Sequence, residues 1–423
     1  MAVDKSTFKN SLIFISGEGF WGFNASLISS ATVLAVLLRE LGADDRTIGS
    51  IGAIEACLLV IPQLLGMYFF SSIRNRKRNL IIWHLVAMIP FLFVSGLLIV
   101  FENHLAPSLL KWALLGSYAC FMAAIGMIAG VWLDWLAHLF EEKIRGTVMG
   151  ISFFASALMG TIGAFAAGFI IKAVGGHSAY AVLYFAAGFF AALSIITFML
   201  VDDPADKVET PQRRIGPGDI ISSFRKSIRD LNFRSFLVCR LLASLGFCIV
   251  PFIAIYFTSA EGGSLSSSMV VSCGAAMSFG SALSNLFLGR FGDKYGHRLG
   301  VILGTAMQVV TLGFLIFGSG QLLCVIIYFL TGICISCSFI SHTNMLLETC
   351  PHDCRIAHLT VGNLILSVPM IAAPLLAGLA AETFGLRAVF TACLCLSAMS
   401  FLWGIFLVKE PRYLRIMDVK PGS

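Results

Sequence analysis

The sequence contains few charged residues. Only 12% of its 423 residues are Asp, Glu, Lys or Arg, whereas about a quarter are charged in a typical soluble domain. Hydrophobic residues make up 58% of the chain, and the mean hydropathy is +0.89. A water-exposed surface around so much apolar material would need far more charge. The composition therefore excludes a soluble globular protein and indicates a chain embedded in lipid.

The sequence also lacks the motifs of common enzyme sites. It has no His-Glu-x-x-His, no Gly-x-Ser-x-Gly and no Gly-x-x-x-x-Gly-Lys-Ser/Thr, which would indicate a zinc protease, a serine hydrolase and a nucleotide loop. We therefore expect neither an enzyme nor a cofactor, and no nucleotide-driven pump. The net charge of +6 comes from basic residues that recur in alternate loops, so we expect no nucleic-acid partner.

Cysteine occurs 12 times, but its placement indicates neither a disulfide framework nor a metal site. Cys334 and Cys337 form a Cys-x-x-Cys inside an apolar run, where thiols act as small hydrophobes. A second group of metal-capable residues follows the tenth apolar run: His342, Cys350, His352, Cys354 and His358. That loop lacks a second tight pair of zinc ligands. We expect reduced thiols and no metal.

Twelve apolar runs are long enough to cross a membrane, which takes about 20 residues. They are too long for outer-membrane strands of about 10 residues. We therefore predict an all-α integral membrane protein with the lipid bilayer as its solvent. The predicted spans cover about 11–38, 47–70, 80–101, 109–137, 147–173, 178–200, 235–258, 267–289, 299–318, 321–346, 359–380 and 387–408.

The placement of Lys and Arg predicts the orientation, because cytoplasmic loops carry an excess of these residues. With both termini in the cytoplasm, 24 of them fall on the inner side and 5 on the outer side. We therefore expect a multi-pass protein of the plasma membrane, the inner membrane in a bacterium. The polar stretch Met1 to Asn10 and the long first run predict no cleavable signal peptide. The five outer residues are Arg39, Arg46, Lys111, Lys172 and Arg387.

A hydrophilic gap divides the chain into two halves. We predict an N-terminal six-helix bundle at 1–200, a cytoplasmic linker at 201–234, and a C-terminal bundle with a cytoplasmic tail at 235–423. Three prolines and two glycines open the linker. Apolar residues at helical spacing from Ile220 to Leu231, among basic residues, predict an amphipathic helix on the membrane surface.

The two halves resemble each other weakly. Arg145 follows the fourth span and precedes Gly168 by 23 residues, and Arg355 follows the tenth and precedes Gly378 by 23. Both intervals are rich in small residues, which let helices approach closely in lipid. This pattern indicates a duplicated six-helix unit.

The ten residues 289–298 carry the most specific motif, Gly-Arg-Phe-Gly-Asp-Lys-Tyr-Gly-His-Arg, between two apolar runs. Gly289, Asp293, Gly296 and Arg298 match the loop Gly-x-x-x-Asp-Arg-x-Gly-Arg-Arg, and Lys294 stands where the first Arg is usual. The chain therefore resembles the major facilitator superfamily of transporters. In the first-half copy of this loop, counted from Gly66, Phe70 replaces the acid.

This resemblance implies two pseudo-symmetric six-helix bundles that rock about a central site. It also implies that Asp293 lies near the start of the fifth helix, around Arg145, and fastens the two halves together. The alternative is that Asp293 only caps its own hairpin. The predicted gating residues are Gly289, Asp293, Lys294, Gly296, Arg298, Arg145 and Arg355. The fourth span has no Arg, which many proton-coupled antiporters of the family carry.

Polar residues inside the spans are the candidates for the substrate and ion cavity, because charges at mid-span usually face one. Helices one, four, seven and ten line the cavity in the family. Glu18 and Arg240 lie at similar depths, and they either pair as a gate, hold the charges of a substrate, or reach the interface. Glu55 is the deepest acid and a candidate for proton coupling. The full set is Glu18, Trp21, Asn24, Glu55, Asp134, Arg240, Tyr256, His342 and Asn344.

Asp134 and Asn344 each precede their loop arginine, Arg145 or Arg355, by eleven positions. They therefore occupy equivalent places, and we expect both at the cytoplasmic half of the cavity. Asp134 also has a simpler interpretation, an ion pair with Lys143 or Arg145.

The sequence as a whole predicts secondary active or facilitative transport of a small organic solute by alternating access. Efflux of amphipathic compounds is one alternative, and a transport-like receptor without translocation is another. The resemblance implies a monomer, a small-molecule substrate and the possible use of protons.

Overall fold

The computed structural model describes residues 5–70, 75–203, 229–349 and 355–411, and within these ranges the regular structure is helical. Twelve helical segments follow one another along the described chain, and we number them α1 to α12. They are α1 Lys5–Glu40, α2 Asp45–Phe69, α3 Arg76–Val100, α4 Pro107–Leu139, α5 Glu142–Val174, α6 Ser178–Met199, α7 Leu231–Thr258, α8 Ser267–Tyr295, α9 Arg298–Phe317, α10 Gln321–Glu348, α11 Arg355–Phe384 and α12 Leu386–Phe406.

Three of these helices are interrupted. Pro90 and Pro251 begin new pieces of α3 and α7, because proline has no N–H to donate and clashes with the preceding turn. The break in α1, after Leu27, has no proline. The pieces are Lys5–Leu27, π-helical Ser30–Leu34 and Ala35–Glu40 in α1, Arg76–Trp83, π-helical His84–Met88 and Ile89–Val100 in α3, and Leu231–Gly246 and Val250–Thr258 in α7.

Eleven of the described helices are long and apolar enough to cross a membrane. The other one, α2, has 25 residues and packs between α4 and α11. The prediction of an all-α membrane protein with twelve spans in two bundles is confirmed. Helices extend beyond the predicted runs, as α1 does from Lys5, because polar residues remain helical where a helix leaves the hydrocarbon.

The helices form two bundles, α1–α6 and α7–α12, which meet along two antiparallel pairs, α2 with α11 and α5 with α8. We call the face with both chain ends the terminal face. The opposite, distal face carries the turns at 41–44, 101–106, 175–177, 259–266, 318–320 and 385. Six glycines with positive φ lie in these turns, because tight reversals need the left-handed region.

The terminal face shows the duplication in its hydrogen bonds. In the first bundle, Asn10 Nδ2 donates to the Asp202 carbonyl at 2.7 Å, and the Asp202 N–H donates back to Asn10 Oδ1 at 2.9 Å. In the second bundle, Asn232 and Lys409 exchange the same two bonds at 3.0 and 2.7 Å. Each bundle thus fastens the start of its first helix to the end of its last.

Two predicted features lie outside the described residues. One is the amphipathic helix expected before Leu231, of which only the last residues are described. The other is the cysteine and histidine group at 350–354.

Candidate functional site

The two bundles touch closely at the distal end of α2 and α11. A β-carbon on Gly49 would lie 2.3 Å from the carbonyl oxygen of Pro374, so a larger residue does not fit there. Arg46 Nε lies 2.6 Å from Glu382 Oε2 at the same end. This helix pair therefore combines backbone contact with an ion pair between the bundles.

The second helix pair, α5 with α8, is equally close at its distal end. Ser268 Oγ donates to the Gly168 carbonyl at 2.9 Å, and a β-carbon on Gly168 would lie 1.9 Å from Ser272 Oγ. The neighbouring Ser267 donates to the Glu40 carboxylate at the end of α1. Small residues thus let the two bundles meet at this side as well.

Between these two helix pairs, the distal pieces of α1 and α7 pack together and exclude solvent. The side chains from Val33 to Leu38 and from Phe252 to Phe257 are all 4% exposed or less. Tyr328 on α10 donates to the Ala31 carbonyl at 3.3 Å. The route between the bundles is therefore closed at the distal face.

Tyr256, a predicted cavity residue, belongs to this packed region. Its side chain is fully buried, its hydroxyl donates to the Gly318 carbonyl at 2.8 Å, and its ring meets Phe390 edge-on at 5.4 Å. In this structure Tyr256 supports the distal closure and does not line an open cavity.

Glu18 lies between α1 and α4, on the terminal-face side of the α1 break. Its side chain is 7% exposed, and Oε1 accepts a hydrogen bond from Trp132 Nε1 at 3.2 Å. Phe14, one turn earlier, packs on Trp132 with ring centroids 6.0 Å apart. An indole and a mostly apolar wall therefore hold the carboxyl in place.

Trp21 and Asn24 continue the same helix towards the break. Trp21 meets the His84 ring of α3 edge-on at 5.7 Å. Asn24 is fully buried, and neither its amide nitrogen nor its amide oxygen has a hydrogen-bond partner among the described residues. A buried amide without partners costs about 1–3 kcal/mol, so Asn24 is a costly polar group close to the α1 break.

Glu55 lies on α2, ten residues from the distal start of that helix. Its Oε1 accepts a hydrogen bond from the Tyr118 hydroxyl of α4 at 2.5 Å, and the Ser30 hydroxyl bonds to the same carboxyl. Ser30 begins the π-helical turn of α1, and such turns are frequent at functional sites. The cluster Ser30, Glu55 and Tyr118 thus joins three helices just below the distal closure.

Arg240 is the counterpart of Glu18 in the second bundle. Each follows its paired asparagine, Asn232 or Asn10, by eight residues. The Arg240 side chain is buried at 9% exposure. Its Nη1 donates to Ser338 Oγ of α10 at 3.4 Å, and its Nε has no acceptor. Among the described residues Glu18 and Arg240 form no ion pair, so the gate that their depths suggested is not formed in this structure.

Aromatic rings cross the space between these two charged groups. Trp132, the partner of Glu18, packs on Phe153 of α5 at 6.4 Å. Phe153 meets Phe339 of α10 edge-on at 6.1 Å, and Phe339 is next to Ser338 in the chain. We call Trp132, Phe153 and Phe339 the aromatic bridge, because it connects the surroundings of Glu18 to those of Arg240.

The polar residues nearer the terminal face have local partners. Asp134 Oδ2 lies 2.5 Å from Arg76 Nε at the start of α3. Its partner is therefore Arg76, whereas the sequence suggested Lys143 or Arg145. In the second bundle, Asn344 donates to the Ile340 carbonyl of its own helix at 2.9 Å. His342 stacks on Phe236 of α7 at 5.6 Å.

The loop 289–298 forms the end of α8 and the start of α9. Gly296 has a positive φ of 91°, and a β-carbon there would lie 2.3 Å from the Glu410 carboxyl. The Arg298 N–H donates to Glu410 Oε2 at 3.0 Å, and Arg298 Nη2 donates to the Ile405 carbonyl at 2.6 Å. Gly296 and Arg298 therefore tie this loop to the end of α12.

The other gating residues of the loop are described in part. Lys294 is exposed, with Nζ 5.0 Å from the centre of the Tyr295 ring. Arg145 lies in the first turn of α5, and Arg355 begins α11. The surroundings of Gly289 and the side chains of Asp293 and Arg355 are outside the described part, so the contact between Asp293 and Arg145 stays a prediction.

Sequence reasoning missed Tyr118, Ser30 and Glu410. A repeated pattern would have indicated Glu410, since Val201-Asp202-Asp203-Pro204 ends the first half and Val408-Lys409-Glu410-Pro411 ends the second. Tyr118 had no such signal, because one hydroxyl in an apolar run does not show which helix it faces.

Comparison with known proteins identifies the fold and the family. The family model described as Major Facilitator Superfamily matches residues 15–281 and 236–416. Among curated proteins, none matches this sequence significantly.

Solved transporter structures share the architecture over nearly the whole chain. The nucleoside transporter NupG, solved as a mutant, has a TM-score of 0.70 at 14% identity, covering 96% of this chain and 100% of its own. A POT family transporter in complex with a thioalcohol-conjugated peptide has 0.69 at 11% identity, covering 97% and 96%. A bacterial homologue of the human lysosomal transporter Spinster, inward-facing and unoccupied, has 0.61 at 12% identity, covering 97% and 99%.

Proposed function

Because this chain belongs to the Major Facilitator Superfamily, whose members move solutes by alternating access, we propose that it carries a small organic solute across a plasma membrane. The observation that carries this proposal is the one-sided closure of the route between the bundles. The distal face is sealed by close helix contacts, and mid-membrane polar groups lie on the side of the terminal face. A site that faces one side at a time is what alternating access requires.

The distribution of Lys and Arg supports a cytoplasmic terminal face, with both chain ends inside the cell. The structure is then closed to the outside. We propose the bundles 1–200 and 235–423 as the two moving units, 201–234 as the linker between them, and a monomer as the working form. We also propose that the protein is not an enzyme.

The fastening of Asp293 to the start of α5 is part of this proposal. Where α5 and α8 touch, Ala164 faces Gly274 and Gly160 faces Ser278. Four residues back along α5 thus correspond to four residues forward along α8, which is the register of two antiparallel helices. Continued along both helices, the same register would bring Asp293 opposite Arg145. A carboxylate there would also interact favourably with the N-terminal end of the helix, by about 0.3–1 kcal/mol. Loss of this contact would favour opening at the terminal face.

Glu55 is our candidate for proton coupling. A carboxyl is neutral when protonated and charged when it is not, and the free-energy cost of burying it is higher in the charged form. Its partners Tyr118 and Ser30 lie on α4 and on the π-helical turn of α1, which leads directly into the distal closure. A change in the charge of Glu55 would therefore act on the helix piece that closes the outer side.

The test is solute flux into and out of proteoliposomes, with compounds first selected by ligand-induced thermal stabilisation at pH 5.5 and pH 7.5. Uptake or efflux of a stabilising compound is the expected result. Preference for large amphipathic cations would instead favour efflux of amphipathic compounds. Stabilisation by a ligand without any flux would contradict transport and favour a receptor.

A further inference from the structure

We propose that the substrate is a small zwitterion, whose carboxylate binds Arg240 and whose ammonium group binds Glu18. This inference rests on the proposed transport function, since it assigns the substrate class of the same central site. It is carried by the burial, the partners and the equivalent positions of these two residues.

Among the described residues, Arg240 is a buried cation without a counter-charge. Its guanidinium has one long hydrogen bond, to Ser338 Oγ at 3.4 Å, and an Nε without an acceptor. No carboxylate of the described residues forms an ion pair with it. A cation at membrane depth is costly unless it is paired or faces a cavity. An anionic ligand would supply the missing acceptors, and a guanidinium binds a carboxylate through two parallel hydrogen bonds.

The distribution of charge along the spans points the same way. Among its described residues, the first bundle has two acids at mid-span, Glu18 and Glu55, and no Lys or Arg at that depth. The second bundle has Arg240 and, among its described residues, acids only at helix ends and in loops. Those acids are Asp230, Glu261, Asp293, Glu348, Glu382 and Glu410. At mid-span, the first bundle therefore carries negative charge only, and the second bundle carries positive charge only.

The positions of Glu18 and Arg240 are equivalent in the duplicated fold. Asn10 and Asn232 make the same pair of bonds to the ends of their bundles, and the charged residue follows eight positions later in both. Equivalent positions of the two halves face the shared route from opposite sides. The aromatic bridge lies between the surroundings of the two charges, and rings there suit the apolar body of a ligand.

The number of cations selects the anionic group. Arg240 is the one Lys or Arg at mid-span in the described helices, so it balances a single negative charge. A carboxylate carries one such charge. A phosphate monoester carries about 1.5 to 2 negative charges at pH 7 and would leave an excess at membrane depth. The matching positive group of the ligand then belongs to Glu18, which already accepts one bond from Trp132 and has a second oxygen to offer.

A ligand that bridges Glu18 and Arg240 would contact both bundles at once. It would draw the terminal-face sides of the bundles together, because each end of the ligand satisfies a charge on a different bundle. The substrate would thereby favour closure of the terminal face, which is the step that precedes release on the other side.

The first experiment uses the unaltered protein in lipid nanodiscs and four sets of probes with three to six carbon atoms. The sets are ω-amino carboxylates, plain carboxylates, plain amines and uncharged ω-amino amides blocked by N-acetylation. We expect ω-amino carboxylates to stabilise the protein against heat with an apparent Kd at least ten times lower than that of any other set. Equal stabilisation by plain carboxylates or by the uncharged set overturns the proposal, as does the absence of any response to the ω-amino carboxylates.

The second experiment assigns the two ends of the ligand. In Arg240→Gln we expect at least a tenfold loss of affinity for the preferred zwitterion, and a smaller loss for its primary amide, because the carboxylate loses its partner. In Glu18→Gln the opposite pattern is expected, because the ammonium group loses its partner. The affinity for the preferred zwitterion should fall most, and the affinity for its N-acetylated analogue should fall least. Arg234→Gln is the matched control, since Arg234 lies exposed on the same helix. Unchanged selectivity in both variants contradicts the assignment.

Arg240→Lys keeps the positive charge, and it tests the assignment even if the glutamine variant does not fold. It should retain measurable binding with a lower affinity, because ammonium lacks the two-pronged geometry. Binding and flux are measured separately. Zwitterion binding without flux would refute transport and leave the assignment of the site intact, whereas flux of an uncharged solute would refute the assignment and leave transport intact.

Discussion

Arg46 Nε of α2 lies 2.6 Å from Glu382 Oε2 of α11, and this ion pair joins the two bundles at the distal face. It lies beside Gly49, where the backbones of α2 and α11 are close together. Alternating access requires that this contact break whenever the distal face opens.

Glu382→Gln should therefore make the distal face open more often. Exposed ion pairs contribute about 0.2–1 kcal/mol, so the open population should rise by a factor of about 1.4 to 5. Hydrogen exchange at the start of α2 and the end of α11 would measure this opening. Glu261→Gln is the control, because Glu261 pairs with Arg387 at 3.3 Å inside one bundle. Equal effects of the two variants would argue against a role of the Arg46 pair in closure.

Gly168→Leu should prevent the distal ends of α5 and α8 from meeting. The added side chain would overlap Ser272 and the Ser268 backbone, so the bundles would have to separate there. We expect a folded protein whose transport is lost or reduced at least tenfold. Gly313→Leu on α9 should transport normally, since a β-carbon at Gly313 meets nothing within 4 Å and α9 packs on helices of its own bundle.

Asp293→Asn should weaken the contact that we propose with the start of α5. Transport should fall several-fold, and Arg145→Gln should reduce it by a similar amount. If the two residues act together, the double variant will be no worse than either single variant. Flux in proteoliposomes measures all three. Strictly multiplicative losses would indicate that Asp293 acts only within its own hairpin.

Glu55→Gln should remove the pH dependence of transport if Glu55 carries the coupled proton. The glutamine keeps the shape of the side chain and a carbonyl acceptor for Tyr118, so folding should be preserved. Exchange of labelled solute at equal concentrations on both sides should continue, while uphill accumulation driven by a pH gradient should stop. Tyr118→Phe should shift the pH profile without abolishing accumulation. Normal accumulation by Glu55→Gln would exclude this residue as the proton carrier.

Asp44 is the N-cap of α2, and its carboxylate should make the stability of the start of this helix depend on pH. Hydrogen bonds from the Thr47 side chain and backbone lower the pKa of Asp44, because they stabilise the charged carboxylate. A lowered folded-state pKa means that the stabilisation is complete above the unfolded value of about 3.8 and is lost as the pH falls through the folded value.

Asp44→Ala should therefore destabilise the protein at pH 7 by about 1 kcal/mol, the usual contribution of an N-cap. The difference between variant and parent should shrink as the pH falls below about 4. Thermal unfolding at pH 3 and pH 7 measures it. Thr47→Ala, which removes one of the two bonds, should give a smaller loss with the same trend. A difference independent of pH would show that the charge of Asp44 does not matter.

Hydropathy alone predicted the number, order and approximate limits of the helices, because lipid leaves few choices for a long apolar run. A separate signal, the spacing of Gly289, Asp293, Gly296 and Arg298, identified the end of α8. The break in α1 was not predictable, since Leu27 is followed by neither proline nor glycine. The π-helical turn at Ser30 packs against the distal piece of α7, and the local sequence does not reveal that contact.

The partners of the polar side chains were harder to predict than their depths. Proximity along the chain favoured Lys143 or Arg145 as the partner of Asp134, but Arg76 approaches from a different helix. Likewise the sequence placed Glu55 at mid-span without showing Tyr118 beside it. These helices are apolar on most of their circumference, so the pattern does not reveal how each one is rotated in the bundle.

The reciprocal bonds of Asn10 and Asn232 have a consequence for assembly. Each pair of bonds joins the first and the last helix of a six-helix bundle, so that the bundle is closed on itself. A bundle closed in this way does not need the linker to the other bundle in order to hold together. Two polypeptides made separately, divided between residues 203 and 229, should find each other in the bilayer and restore a working carrier.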